Sequence, residues 1–287
     1  MAIKIITDTS SDITFEEQKK YNIDMIPFIM NVAGQTFIDN NDLDFEVLRE
    51  TLANAPKKAS NGESILSTSC PPPAEFLEAY ERNANDDIIV LTISNILSGS
   101  YNSANLAKDM YLEKYPNNKI YIVNTISDAA GPAMITYKLL EILDNGASFE
   151  EAIEQIEKYK YEIETFVILE RLDNVIKTGR LSKTKGFIAN TLNIKPLMVG
   201  DNGELVIYKQ LRGIKKAIDA LVDRINELSE TEGKKILISH SEGMHNVDYL
   251  TKLLNEKCKF REVIIRKSRG ISFCYCDIGG MVISFEK

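Results

Sequence analysis

Residues 88–104, IIVLTISNILSGSYNSA, constrain the fold of this chain more than any other stretch. The segment opens with Ile88-Ile89-Val90-Leu91, apolar at successive positions and rich in β-branched side chains. A strand of that composition must be covered on both faces, as in a parallel sheet with helices on either side. The chain then passes through Thr92, Ser94 and Asn95 into Leu97-Ser98-Gly99-Ser100-Tyr101, and a helical stretch with Ala104, Leu106 and Ala107 follows. Small hydroxyl residues between a strand and a helix start have two uses. They can cap the helix by accepting from its free N–H groups, or those N–H groups and the helix dipole can receive an anion. Caps are the commoner feature, so the segment by itself favours capping.

The same alternation runs through the first half of the chain. Residues 2–7 read as a short buried strand, followed by Asp8-Thr9-Ser10-Ser11-Asp12 and a helix over about 14–20. Residues 23–32 read as extended chain interrupted at Pro27. A turn at Gly34-Gln35-Thr36 lets Phe37-Ile38-Asp39 pair back as a hairpin. A helix capped by Asp44 spans 44–55, with Phe45, Leu48 and Leu52 on one face. Ser67-Thr68-Ser69-Cys70 runs into three prolines, which stiffen the loop ahead of a helix beginning near Pro73. Its two readings are a proline-terminated linker and a rigid shelf that holds the Thr68 hydroxyl toward a ligand. A strand at 119–124, a polar turn, and helices at 132–143 and 149–159 complete this half. Ligands of such sheets sit beyond the C-terminal strand ends, which here means the Ser- and Thr-rich turns after Thr7, Leu66 and Thr92.

The second half departs from that pattern. A strand at 165–169 leads into 172–185, two helical pieces broken at Gly179, where Arg180, Lys183 and Lys185 form a basic cluster suited to docking a partner. Gly200-Asp201-Asn202-Gly203 joins strands at 194–199 and 204–208 as a hairpin. Arg212 is expected to open a helix reaching about Leu228. Strands at 235–239, 262–266 and 281–285 and a helix at 247–254 follow. The expected fold class is therefore α/β in two units. Residues 1–160 carry a mainly parallel sheet flanked by helices; residues 161–287 form an α+β unit with a mixed or antiparallel sheet.

Composition and motifs narrow the chemistry. The chain is 44% hydrophobic and 26% charged with a net charge of −8, which argues against nucleic acid or an anionic membrane as partner. No apolar run approaches a membrane span, so stable membrane insertion is not expected. The N-terminal MAIKIITDTSSD lacks a signal-peptide pattern, which suggests a cytoplasmic protein. No G-x-G-x-x-G or Walker loop follows the first strand, and Ser10 stands where a D-x-D phosphatase would have its second aspartate. Cys274-Tyr275-Cys276 lacks the spacing of a redox pair or zinc knuckle, and His240 and His245 are five apart, off one helix face. No metal and no cofactor are implied. Ser98 or Ser241, the latter next to His240, leaves a serine hydrolase of small esters or acyl substrates as an alternative, without a G-x-S-x-G elbow.

Taken together, these segments resemble the DegV family of bacterial fatty-acid-binding proteins. The resemblance runs nearly end to end. It rests on Thr7-Asp8-Thr9-Ser10-Ser11-Asp12, on Thr68-Ser69-Cys70-Pro71, on residues 93–104, on Gly179-Arg180-Leu181-Ser182-Lys183 and on Ile194-Lys195-Pro196. It implies two α/β units with a long-chain fatty acid such as palmitate bound between or beside them. It also implies a non-enzymatic carrier that presents the acyl chain to the catalytic subunit of a fatty acid kinase, with a lipid sensor as a variant of that role. The carboxylate-binding hydroxyls fall on Thr68 and Ser98, with Arg212 as a further candidate, and kinase docking falls on Arg180 and Lys183. Ser94 and Ser100 stay caps and turn residues. Two departures stand out. Cys70 replaces a glutamine, and Phe273 is read at the position of a histidine common before the last strand.

Overall fold

In the computed structural model, which describes residues 2–56, 64–182 and 194–287, Ile88 through Leu91 are all fully buried. Ile88 and Val90 enter one core with Phe76, Tyr80 and Tyr111, whereas Ile89 and Leu91 enter another with Met134, Ile135 and Leu139. Alternate side chains of a strand point to opposite faces, so an apolar residue at every position requires a helical layer on each side.

The chain runs β1 (Ile3–Asp8), α1 (Phe15–Tyr21), β2 (Asp24–Ile26), β3 (Ile29–Val32), β4 (Gln35–Ile38), α2 (Phe45–Asn54), β5 (Leu66–Ser69), α3 (Pro73–Arg82), β6 (Asp87–Thr92), α4 (Ser100–Lys114), β7 (Ile120–Asn124), α5 (Ala130–Asp144) and α6 (Phe149–Tyr159). It continues with β8 (Ile163–Ile168), α7 (Asp173–Lys177), β9 (Ile194–Asp201), β10 (Glu204–Arg212), α8 (Ile214–Leu228), β11 (Lys235–His240), α9 (Met244–Lys257), β12 (Glu262–Lys267), α10 (Gly270–Cys276) and β13 (Met281–Glu286). Strands β2-β1-β6-β7 form an all-parallel sheet. Strands β10-β9-β8-β13-β11-β12 form a mixed sheet in which only β11 and β12 run parallel. A small antiparallel sheet, β4-β3-β5, stands beside them.

The layers follow from which residues share a core. Helices α3 and α4 cover one face of the parallel sheet. Helices α5 and α6 fill the space between its other face and the mixed sheet, where Val167, Leu237 and Val282 meet them. The opposite residues of those strands, Phe166, Ile168, Ile236, Ile238 and Ile283, face α8 and α9. Helix α5 is buried over most of its circumference, as a helix held between two sheets must be.

Several expectations need correction. Pro27 does interrupt the 23–32 stretch, and the break sends β2 and β3 into different sheets, because proline cannot donate to a ladder. Thr68 lies not on a free loop but in β5, opposite Met30 of β3. Arg212 ends β10 rather than opening a helix; Gly213, at φ +81°, turns the chain, and α8 starts after it. Of the two helical pieces expected around Gly179, α7 is present; the second is not helical over Arg180, Leu181 and Ser182, where Leu181 bridges to Leu205, and Lys183 and Lys185 lie outside the described residues. Helix α10 was not expected at all.

Two buried aspartates from the first half lock α10 in place. Asp12 accepts from Ser239 Oγ of β11 and from the Arg269 N–H at 3.4 Å, and its carbonyl accepts from Arg266 Nη1 at 2.8 Å. Asp39 accepts from the Ile271 N–H at 3.0 Å. Carboxylates at a helix start complement its exposed N–H groups and dipole. Gly270 between them has φ +45°, and a Cβ there would fall 1.8 Å from Asp39 Oδ1, so neither the backbone nor the space admits a side chain.

Burial raises the Asp12 pKa from an ordinary 3.8 to about 7, against hydrogen bonds from Ser239 and Ser272 and the charge of Arg266 that lower it. The folded protein therefore binds more protons at this site than the unfolded chain does. The resulting stability is fully present below the ordinary aspartate range and is lost as pH rises through about 7. Urea unfolding of the wild type should show stability falling between about pH 5 and about pH 8, with a shallower fall in Asp12→Asn; parallel slopes would contradict this. Gly270→Ala should lower unfolding free energy by about 2 kcal/mol or more through left-handed strain and collision with Asp39. An unchanged urea midpoint would refute the lock.

Candidate functional site: a cavity lined by hydroxyl and apolar side chains

The parallel sheet delivers the turns after β1 and β6 to one place. Asp8, the last residue of β1, is fully buried, and its carboxylate gathers them. Oδ1 accepts from Ser10 N at 3.3 Å and Ser10 Oγ at 2.5 Å; Oδ2 accepts from Ile93 N at 3.0 Å and Ser100 Oγ at 2.6 Å. One side chain thus fixes both ends of the 93–100 loop to the end of β1. Burial pushes its pKa up while these four donors hold it down.

Within that loop the serines have distinct tasks. Ser94 is buried; its Oγ donates to the Gly203 carbonyl at 2.6 Å, and its N–H to the Ser127 carbonyl at 2.9 Å. Ser100 serves Asp8. Ser98 lines a cavity of about 350 Å³, within the range of sites for small organic ligands, roughly 300–1,000 Å³. Its Oγ accepts from the Ser100 N–H at 3.3 Å, which leaves the hydroxyl proton available.

Thr68 lines the same cavity, and its Oγ1 lies 2.8 Å from the Tyr275 hydroxyl of α10. The walls are supplied by apolar side chains such as Phe28, Ile93, Leu97, Val175, Leu205 and Ile271. Phe273, read in the sequence at a head-group position, does not reach this space. It is fully buried, edge-on to Phe45 with ring centroids 4.9 Å apart. Helical spacing explains the difference: Ser272, Tyr275 and Cys276 share one side of α10, and Phe273 turns away from it. Tyr275 is thus a site residue that the sequence reading missed. Cys70 also lines the cavity, its sulfur 4.0 Å from Ser103 Oγ.

Arg180, half-buried after the Gly179 turn, lines the cavity as well, with Nη1 donating to the Thr178 carbonyl at 2.5 Å. Arg212 is exposed at the end of β10 and is not part of the lining, so it is not placed with Thr68 and Ser98. Neither histidine lines the cavity either. His240 Nδ1 and Ser241 Oγ are both buried without a hydrogen-bond partner among the described residues, so they do not form a nucleophile–base pair. The described residues contain no cluster of three metal-binding side chains and no helix long and apolar enough to cross a membrane.

Comparison with known proteins places this architecture. A family model described as "Uncharacterised protein, DegV family" matches residues 2–285. A DegV domain-containing protein of Streptococcus pyogenes serotype M18 is 31% identical over 293 residues, covering all of both chains. A DegV family protein from Ruminococcus gnavus, solved with vaccenic acid, superposes with a TM-score of 0.88 at 29% identity, covering 99% of each chain. The Streptococcus pneumoniae Fatty Acid Kinase (Fak) B3 protein, solved loaded with linoleic acid, gives 0.87 at 29% identity, covering 100% of this chain and 99% of that one. With a family match across nearly its whole length, this chain belongs to the DegV family.

Proposed function

We propose that this protein is a non-enzymatic carrier of one long-chain fatty acid. The observation that carries the reading is that the paired Thr68 and Tyr275 hydroxyls and the Ser98 hydroxyl all line one otherwise largely apolar cavity. Such an arrangement suits a ligand with one polar end and a long apolar remainder. A fatty acid has that form, and vaccenic and linoleic acids are the ligands of two solved relatives.

Affinity and orientation come from different parts of the site. Burying about fourteen methylenes at roughly 0.8 kcal/mol each gives a gross gain on the order of 11 kcal/mol before binding entropy is subtracted. Each hydrogen bond to a carboxylate adds about 1.5–3 kcal/mol. The walls therefore hold the lipid, and the hydroxyls decide which end stays with them. The lining draws on residues from Ser10 to Ala129 and from Val175 to Cys276, which supports a division of the chain near residue 160 with the lipid between the two parts.

The relative named as a fatty acid kinase B protein supports presentation of the acyl chain to a separate kinase subunit. Among the described residues Arg180 is the cation at the cavity, and its half-exposed position suits a partner that must approach the head group there. Lys183 lies outside the described residues. No observation favours a hydrolase.

Affinities for palmitic acid and its methyl ester separate head-group recognition from chain burial. Thr68→Ala with Ser98→Ala should weaken binding of the acid by tenfold or more, about 1.4 kcal/mol, and the ester much less. Tyr275→Phe should act in the same direction. Equal losses for acid and ester would sink carboxylate recognition by these hydroxyls.

A further inference from the structure

Among the described residues Asp128 is the acidic one lining the cavity, and the head-group contacts do not use it. Apart from its own backbone N–H, no described group donates to its carboxyl. Arg180, the other charged residue of the lining among the described residues, does not pair with it, although an ion pair would be the simplest way to settle a carboxylate there. Burial raises its pKa to about 6, and the neighbouring Cys276 thiol is pushed up by burial and by the charge of Asp128 among others. Asp128 is half-buried at the cavity, and a lipid chain filling that space would strip water from its carboxyl, which is unfavourable unless something supplies the missing hydrogen bond.

Strand order separates Asp128 from the head-group hydroxyls. It follows β7, at one edge of the β2-β1-β6-β7 sheet. The sheet carrying Thr68 attaches at the other side, where the Phe28 N–H donates to Thr9 Oγ1 at 3.1 Å, just after β1. The turn after β6, with Ser98, lies between them. A lipid with its carboxylate at Thr68, Ser98 and Tyr275 would pass Asp128 with its chain.

We propose that Asp128 forms a second polar subsite, which selects fatty acids carrying a hydroxyl group on the acyl chain. The proposal rests on the fatty-acid reading and specifies the class of acid. A hydroxyl fits either state of the side chain, donating to the carboxylate or accepting from the carboxylic acid. A cationic chain substituent would need its own charge desolvated beside the apolar wall, and a saturated chain leaves the carboxyl unpartnered.

Competition by stearic acid and a series of hydroxystearic acids differing in hydroxyl position, on the purified full-length protein, tests this. At least one positional isomer should bind about tenfold more tightly than stearic acid. Asp128→Ala should abolish that preference while raising stearic acid affinity, and Asp128→Asn, which keeps an acceptor, should retain part of it. Thermal melts of both variants distinguish loss of selectivity from loss of fold. Binding of stearic acid with no preference for any isomer, or a preference that survives in Asp128→Ala, overturns the subsite and leaves the carrier reading standing. Failure of all the acids to bind overturns both.

Discussion

A carboxylate removed from water must be matched by donors, and Asp8 shows how far that requirement shapes this protein. Four hydrogen bonds reach its two oxygens, from the turn after β1, the end of β6 and the start of α4. Leaving the carboxylate short of partners is strongly unfavourable, so the 93–100 loop has little freedom to drift. Ser98 owes its place in the cavity to that restraint. Asp12 and Asp39 apply the same principle to α10, which carries Tyr275. The acids beside the cavity are thus mostly structural, set behind the hydroxyls that face it.

Much of this was legible in the sequence. The continuous apolar run of β6 required two covered faces, and alternation in β8, β11 and β13 set which residues faced α5 and which faced α8 and α9. The assignment of Ser94 and Ser100 to structural roles and the Asp44 cap, which accepts from the Val47 N–H at 3.1 Å, also follow from local rules. Periodicity and capping are short-range signals, and short-range signals are what a single sequence carries most clearly.

What escaped the sequence is non-local. The ISFCYC run is apolar enough to pass for a strand end; it becomes a helix because aspartates more than two hundred residues earlier bind its first N–H groups. Once it is a helix, Tyr275 rather than Phe273 meets Thr68. Thr68 itself belongs to β5 only through pairing with β3, which the following prolines do not announce. Arg212 was misplaced by one glycine: β10 runs on through a register shift after Ile207, and the helix waits for Gly213.

The division of labour in the cavity is the central claim: apolar walls for affinity, three hydroxyls for polarity of binding. Mass spectrometry of the organic extract from protein purified under native conditions tests it most directly. The account predicts a long-chain fatty acid at close to one molecule per chain. A protein that carries no fatty acid and fails to take one up when supplied would contradict it.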